Sequence, residues 1–305
     1  MAKMVTPEMI KINKRLEKEN RHRHGKPSSP GREAWLRLKR NRLAVVGMVI
    51  LAVLVFLAIF ARVLAPYDYA KQDYNAVLLK PCLAHPFGTD DFGRDVFSRV
   101  LVGTQISFPI GFACVLCAYT IGGILGAIAA FYGGKTDMII MRIMDIFQSI
   151  PSLLMAIAVA ASIGTGVFNM VLAISISTVP PRSRIVRSAI LSVKNSDYIE
   201  SARAIGASSR RQLLKYMLPN ALGPILTNVT FSIATAILTV SSLSYLGLGI
   251  APPTPEWGAM LSAGKSLMRS APHVLIFPGL AIMITVLALN LFGDGLRDAL
   301  DPRLK

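Results

Sequence analysis

A few short stretches hold the side chains that could do chemistry. Gly133-Gly134-Lys135-Thr136 ends like a phosphate-binding loop, in which a lysine meets the phosphates and a hydroxyl meets magnesium. Such a loop needs a glycine five residues before its second glycine. Ala129 stands there, and the residues before it read as an apolar helix, not a strand. Asp90, Asp91 and Asp95 in GTDDFGRD offer three carboxylates, but a calcium loop needs them at alternate positions with a later glutamate. Helix entry suits them better: Asp95 precedes VFSRVLVG, where a carboxylate favours a helix N-terminus. Cys114 and Cys117 form a CxxC within an apolar run and read as polarizable packing, while Cys82 stands apart. His22, His24, His85 and His273 lack metal-ligand spacing, and neither HExxH nor GxSxG occurs. These residues give no catalytic constellation, no metal site and no nucleotide site.

The elements that would carry such residues are oily. Only 16% of the 305 residues are charged, where a soluble domain has about 25%. Leu43 to Ala61, Val100 to Gly134, Ile146 to Pro181, Ala221 to Pro255 and Ser270 to Gly293 carry no Asp, Glu, Lys or Arg. A helix crosses the hydrocarbon with about 20 apolar residues. Each run can cross, and the third can cross twice around GTGVFN (Gly164–Asn169). The expected fold is an all-α polytopic membrane protein with six transmembrane helices, near 43–65, 101–131, 138–163, 167–187, 220–247 and 272–293. The polar first 42 residues exceed a signal-peptide n-region, so 43–65 reads as an anchor that stays. Arg142 and Asp145 are expected to pair along the third helix, and Pro151 to bend it.

A net charge of +16 could suggest nucleic acid. Its placement excludes that partner. Of 33 Lys and Arg, 26 fall in residues 1–42, in 182–217, at Lys135 and Arg142, or after Gly293. Segments 66–100, 164–170 and 249–272 hold 6. This asymmetry follows the positive-inside rule and puts both termini in the cytoplasm. Five spans would strand the basic 182–217 segment outside. The amino-terminal arm holds a charged helix over 8–20. After PSSPG comes Arg32–Arg42, whose Trp35, Leu36 and Leu38 among basic residues suit a helix lying on lipid headgroups.

DYIESARAIGASSRRQLLKYMLPN (Asp197–Asn220) interrupts this oily chain. Asp197 with Glu200, and Ser209 with Gln212, have capping-box spacing. Tyr198, Ala202 and Ile205 share one helical face. Gly206 can end the first helix in a left-handed turn, and Pro219 should stop the second from running unbent into the fifth span. The segment reads as helix–glycine turn–helix between two spans: a solvated loop, a DNA-reading element, or a docking lug for a cytoplasmic partner. Tethering within a few residues of two spans argues against DNA. Two built-in caps are excessive for a passive loop.

The pattern Glu200-Ser201-Ala202, Gly206, Leu218-Pro219 resembles the EAA loop of ABC importer permeases. HPFGTDDFGRDVFSRVLVGTQIS, SYLGLGIAPPTPEWGAML and FGDGLRDALDPRLK resemble the C-type permease of the dipeptide, oligopeptide and nickel group, over nearly the whole chain. Ser201 departs from the usual Ala, and Pro180-Pro181 stands where relatives often carry an aromatic residue. The resemblance implies a type I importer permease in a prokaryotic inner membrane. Its partners would be a homologous B-type permease, two ATPases that bind ATP and Mg, and an extracytoplasmic binding protein. This chain would hold no cofactor. It also implies a coupling role for Glu200, Ser201, Ala202, Ile205, Gly206, Leu218 and Pro219 within a loop over 191–219. An extracytoplasmic family motif would comprise Gly88, Asp90, Gly93, Arg94 and Asp95. The expected organisation is a basic arm (1–42), a first span (43–65), an extracytoplasmic segment (66–100), a five-helix core (101–293) and a tail (294–305). Di- or oligopeptide is the expected cargo, with nickel or another small solute as the alternative. A stand-alone secondary transporter would need midplane coupling charges or internal repeats, and neither is visible.

Overall fold

The computed structural model describes residues 30–300; the arm helix expected over 8–20, His22, His24, Arg303 and Lys305 lie outside the described residues. The elements are α1 (Pro30–Arg40), α2 (Arg42–Leu64), α3 (Val96–Tyr132), α4 (Gly134–Gln148), α5 (Ser152–Ile163), α6 (Val167–Lys194), α7 (Asp197–Ala204), α8 (Ser209–Tyr245), α9 (Trp257–Gly264) and α10 (His273–Leu300). The chain is all-α and polytopic, with no strand among the described residues. Local chemistry explains the starts. The Asn41 side chain accepts from the Leu43 and Ala44 amides at the head of α2. Asp95 accepts from the Ser98 amide at 2.7 Å and caps α3, as its position suggested.

Helices α2, α3, α8 and α10 are long and apolar enough to cross a membrane. The third span is not one helix. α4 and α5 meet at 79°, because Pro151 lacks an amide hydrogen and forces the residue before it out of helical conformation. Only together do they pass the same test, so among the described residues composition counts four spans, or five with the bent pair, where six were expected. The shortfall is α6. It has 28 residues, which at about 1.5 Å per residue exceeds the roughly 30 Å of hydrocarbon. Arg182, Arg184, Arg187 and two prolines make it polar, yet it stays helical through both prolines.

Several expected boundaries also shift. α3 starts five residues early, because Asp95 caps it, and α10 continues to Leu300. α8 does not stop at Pro219. It runs through from Ser209 by widening into a π-helical turn over Gln212–Met217. That turn makes room for a ring that would otherwise collide with the preceding turn's carbonyl.

The main core joins α3, α6 and α8 through Ile110, Cys114, Val115, Met170, Ile174 and Ile237. Here α3 and α6 touch backbone to backbone. A Cβ on Gly122 would sit 2.8 Å from the Val179 carbonyl oxygen, and one on Gly126 2.2 Å from that of Ser183. Small residues one turn apart permit such contact where lipid offers no hydrophobic push. Outward-facing Val53, Phe56 and Ile59 on α2 and Leu116 and Ile124 on α3 are exposed, as lipid-facing positions should be.

The basic segments gather at one end of the bundle. Ala130 of α3, Ile190 of α6, Ile199 of α7 and Met217 and Ala221 of α8 form a second core there. Leu38 of α1, Ala44 and Ala299 form a third cluster. Trp35 and Leu36 remain exposed beside Leu38, with the Lys39 ammonium 4.9 Å from the Trp35 ring centre. Substituting Gly126→Leu should force α3 and α6 apart and destabilise the chain by about 1–3 kcal/mol. Thermal unfolding of the purified protein in detergent measures it, and an unchanged midpoint would refute the close-packing account.

Candidate functional site

At the basic end, α7 projects between α6 and α8. Its first turn holds Asp197 and Glu200, which suit a helix N-terminus. The capping boxes, however, do not form. Ser196 and Ser208 occupy the cap positions of α7 and α8, and neither Asp197 nor Ser209 makes a side-chain cap bond. The spacing was right for a box one residue later than the chain places each start.

The far end of α7 closes as expected. Gly206 has φ +75, its amide donates to the Arg203 carbonyl at 2.9 Å, and the Ala207 amide donates to that of Ala202 at 3.0 Å. This pair of bonds is a Schellman cap, which requires a left-handed residue there. Gln212 then has a role that its sequence position did not reveal. Its buried side chain donates to the Ala207 carbonyl at 2.6 Å and accepts from Arg203 Nε at 3.4 Å, joining α7 to α8 across the turn. A glutamine read as a cap is a staple between helices.

The face of α7 also differs from the expected one. Ile199 is buried in the second core and Ala202 is buried as well, whereas Tyr198 and Ile205 point outward; Ile205 is 80% exposed. Ser201 is exposed too, and its hydroxyl donates back to the Asp197 carbonyl at 2.8 Å. The structure thus brings Glu200, Ser201, Ile205 and Gly206 onto one open surface. Ala202 sits beneath it, and Leu218 and Pro219 lie farther along α8.

The mounting is rigid. Lys194 Nζ donates to the Ala130 and Phe131 carbonyls at 2.7 and 2.8 Å, which closes the end of α3. Arg187 grips Asp137 through two bonds, with Nε to Oδ1 at 2.6 Å. Asp145 pairs with Arg184 of α6, not with Arg142 as expected. The separation along α4 permitted the local pair, but α6 brings a guanidinium directly against the carboxylate. Sequence reasoning missed this α4–α6 ladder. Its only signal was a pair of acids two turns apart on one helix and a pair of arginines one turn apart on another.

The GTDDFGRD motif lies at the opposite end. Asp90 Oδ1 accepts from the Phe92 and Arg94 amides, and Oδ2 accepts from Arg94 Nε at 2.7 Å. Arg99 Nε stands 3.6 Å from the same oxygen, while its Nη1 donates to the Tyr69 carbonyl at 2.9 Å and to that of Pro253 at 3.3 Å. Asp95 Oδ1 meets His85 Nδ1 at 2.9 Å. Gly88 and Gly93 make the left-handed turns between these groups. Burial, and then the neighbouring Asp90, raise the Asp91 carboxyl above its ordinary value, against the pull of Arg94. The motif ties the 66–95 segment and the 249–257 loop to the head of α3. Beside it, fully buried Glu256 accepts from the Ala259 amide at 2.8 Å and from the Ser107 hydroxyl at 3.2 Å.

Comparison with known proteins follows this geometry. Residues 122–305 match the family model described as "Binding-protein-dependent transport system inner membrane component". Residues 29–81 match the "N-terminal TM domain of oligopeptide transport permease C". The chain is 45% identical over 277 residues to the dipeptide transport system permease protein DppC of Alkalihalophilus pseudofirmus, covering 91% of each. It is 48% identical over 278 residues to the glutathione transport system permease protein GsiD of Escherichia coli O6:K15:H31, covering 91% of this chain and 92% of that one. A solved structure titled as inward-facing conformations of the MetNI methionine ABC transporter superposes with TM-score 0.56 at 18% identity, over 67% of this chain and 96% of that one. That likeness identifies the fold as the one seen there.

Asp90→Asn should leave buried Arg99 without its nearest carboxylate and Arg94 with only the half-exposed Asp91 at 3.8 Å, at a cost of about 3 kcal/mol. The segment 66–95 should then be cut much faster in limited proteolysis, and unchanged protection would refute the tie.

Proposed function

The chain belongs to the family of binding-protein-dependent transport system inner membrane components, and from that premise we propose that it is one of two permease subunits of an ATP-driven peptide importer. The observation that carries the reading is α7: its inner face is locked into the core while its outer face offers Ile205 to solvent. An isolated, nearly bare isoleucine between Glu200, Ser201 and Arg203 suits insertion into a partner's cleft. The chain shows no phosphate-binding loop, so the energy is supplied by ATPase subunits that hold ATP and Mg. A homologous B-type permease completes the pore, and an extracytoplasmic binding protein delivers cargo to the 66–100 and 248–272 segments.

The relatives named for dipeptide and glutathione transport support a small-peptide cargo. The positive-inside asymmetry supports a cytoplasmic basic end, both termini included, in an inner membrane. On this reading Glu200, Ser201, Ala202, Ile205, Gly206, Leu218 and Pro219 form the coupling surface and its hinge into α8. Gly88, Asp90, Gly93, Arg94 and Asp95 hold the extracytoplasmic segment in shape.

Ile205→Asp tests the coupling surface without touching the core. The chain should insert normally, yet ATPase subunits should no longer co-purify and ATP-driven uptake should fall by about tenfold or more. Undiminished uptake would sink the assignment. A reporter fused at residue 210 should register as cytoplasmic; an outside signal there would overturn the topology.

A further inference from the structure

Three arginines of α6 face two different ways. Arg184 and Arg187 turn to α4 and find Asp145 and Asp137. Arg182 turns to the junction of α3, α6 and α8. Its guanidinium carbon lies 5.6 Å from the ring centre of Tyr119, and its Nε is buried without a hydrogen-bond partner. Among the described residues no carboxylate comes within 4 Å of it. The Tyr119 hydroxyl in turn lies 3.3 Å from that of Ser232 on α8.

The depth of this group makes it costly. Arg182 is 12 residues from the basic end of α6, which ends at Lys194, or about 18 Å along the axis. Tyr119 is 13 residues from the end of α3 at Tyr132, and Ser232 is 13 from the end of α8 at Tyr245, so all three meet near mid-bundle. Arg182 opens the basic 182–217 segment, yet near mid-bundle it has no carboxylate partner, and intramembrane cations of this kind mark pathways.

We propose that Arg182 is a way-station for the carboxylate of the translocating peptide. The inference rests on the peptide-importer reading above. The Tyr119 ring lies against the guanidinium and leaves its Nε unpaired. A carboxylate takes a guanidinium fork through two parallel bonds. Every unmodified peptide carries one terminal carboxylate whatever its side chains, so one fork serves the class without reading sequence. The tyrosine ring remains as the resting partner of the cation, which lets cargo leave as well as enter.

The test uses the assembled importer in proteoliposomes with its binding protein and ATPases. Uptake of alanyl-alanine and of its C-terminal amide is measured, each at a concentration shown by titration to saturate the binding protein. Arg182→Gln should slow the free acid about tenfold and leave the amide unchanged, with Arg182→Lys intermediate. Equal loss of both, or loss of neither, would overturn the assignment. So would release of the second permease subunit from the Arg182→Gln complex on size exclusion, since the arginine's partner would then be a carboxylate of that subunit. If the wild-type complex takes up neither peptide, the peptide-importer reading itself fails and the carboxylate station with it.

Discussion

The contact of α3 with α6 at Gly122 and Gly126 sets the rest of the molecule. There the two backbones approach more closely than any side chain would allow. That contact fixes the rotation of α6, and the rotation decides where its arginines go: Arg184 and Arg187 to the acids of α4, Arg182 to the ring of Tyr119. It also brings Lys194 over the carbonyls that end α3. α7 therefore starts from a point defined by two helices, and α8 closes the second core from the other side.

Between the two ends of the bundle the chain uses the same device with different groups. At the basic end, ion pairs and a lysine on carbonyls hold α4 and the end of α3 to α6. At the other end, Asp90 gathers Arg94 and Arg99, and Arg99 reaches the carbonyls of Tyr69 and Pro253. One carboxylate thereby joins segments that are far apart in sequence. Trp257 adds a fully buried ring whose indole donates to the Val100 carbonyl at 3.1 Å. Polar groups satisfied inside the structure cost little even beside lipid, and they specify geometry in a way that apolar packing alone does not.

The long apolar helices, the cap at Asp95, the turn at Gly164–Gly166 and the left-handed Gly206 are legible because each depends on a local rule: apolar length, a carboxylate before a helix, glycine where φ is positive. What stayed illegible depends on groups distant in sequence. Asp145 and Arg142 have perfect local spacing, but the choice of Arg184 is made by helix packing that no local pattern encodes. Gln212 has the position of a capping residue and becomes a staple because Ala207 offers a carbonyl inside the turn. The 79° break at Pro151 was foreseen as a bend but not in degree. Pro219 does not end α8, because a π-turn absorbs its ring.

That π-turn bears on the proposed coupling. A docking helix transmits motion only if its mounting does not yield. The Schellman cap, the Gln212 staple and the buried Ile199 and Ala202 make α7 one body with the start of α8. α8 then continues without a break to the junction where Ser232 meets Tyr119, next to Arg182. On the proposed reading, a displacement of α7 reaches the middle of the bundle along a single helix. The π-turn over Gln212–Met217 lies on this path, where α8 accommodates the Pro219 ring and continues as one helix. Lug, lever and arginine would then form one mechanical line.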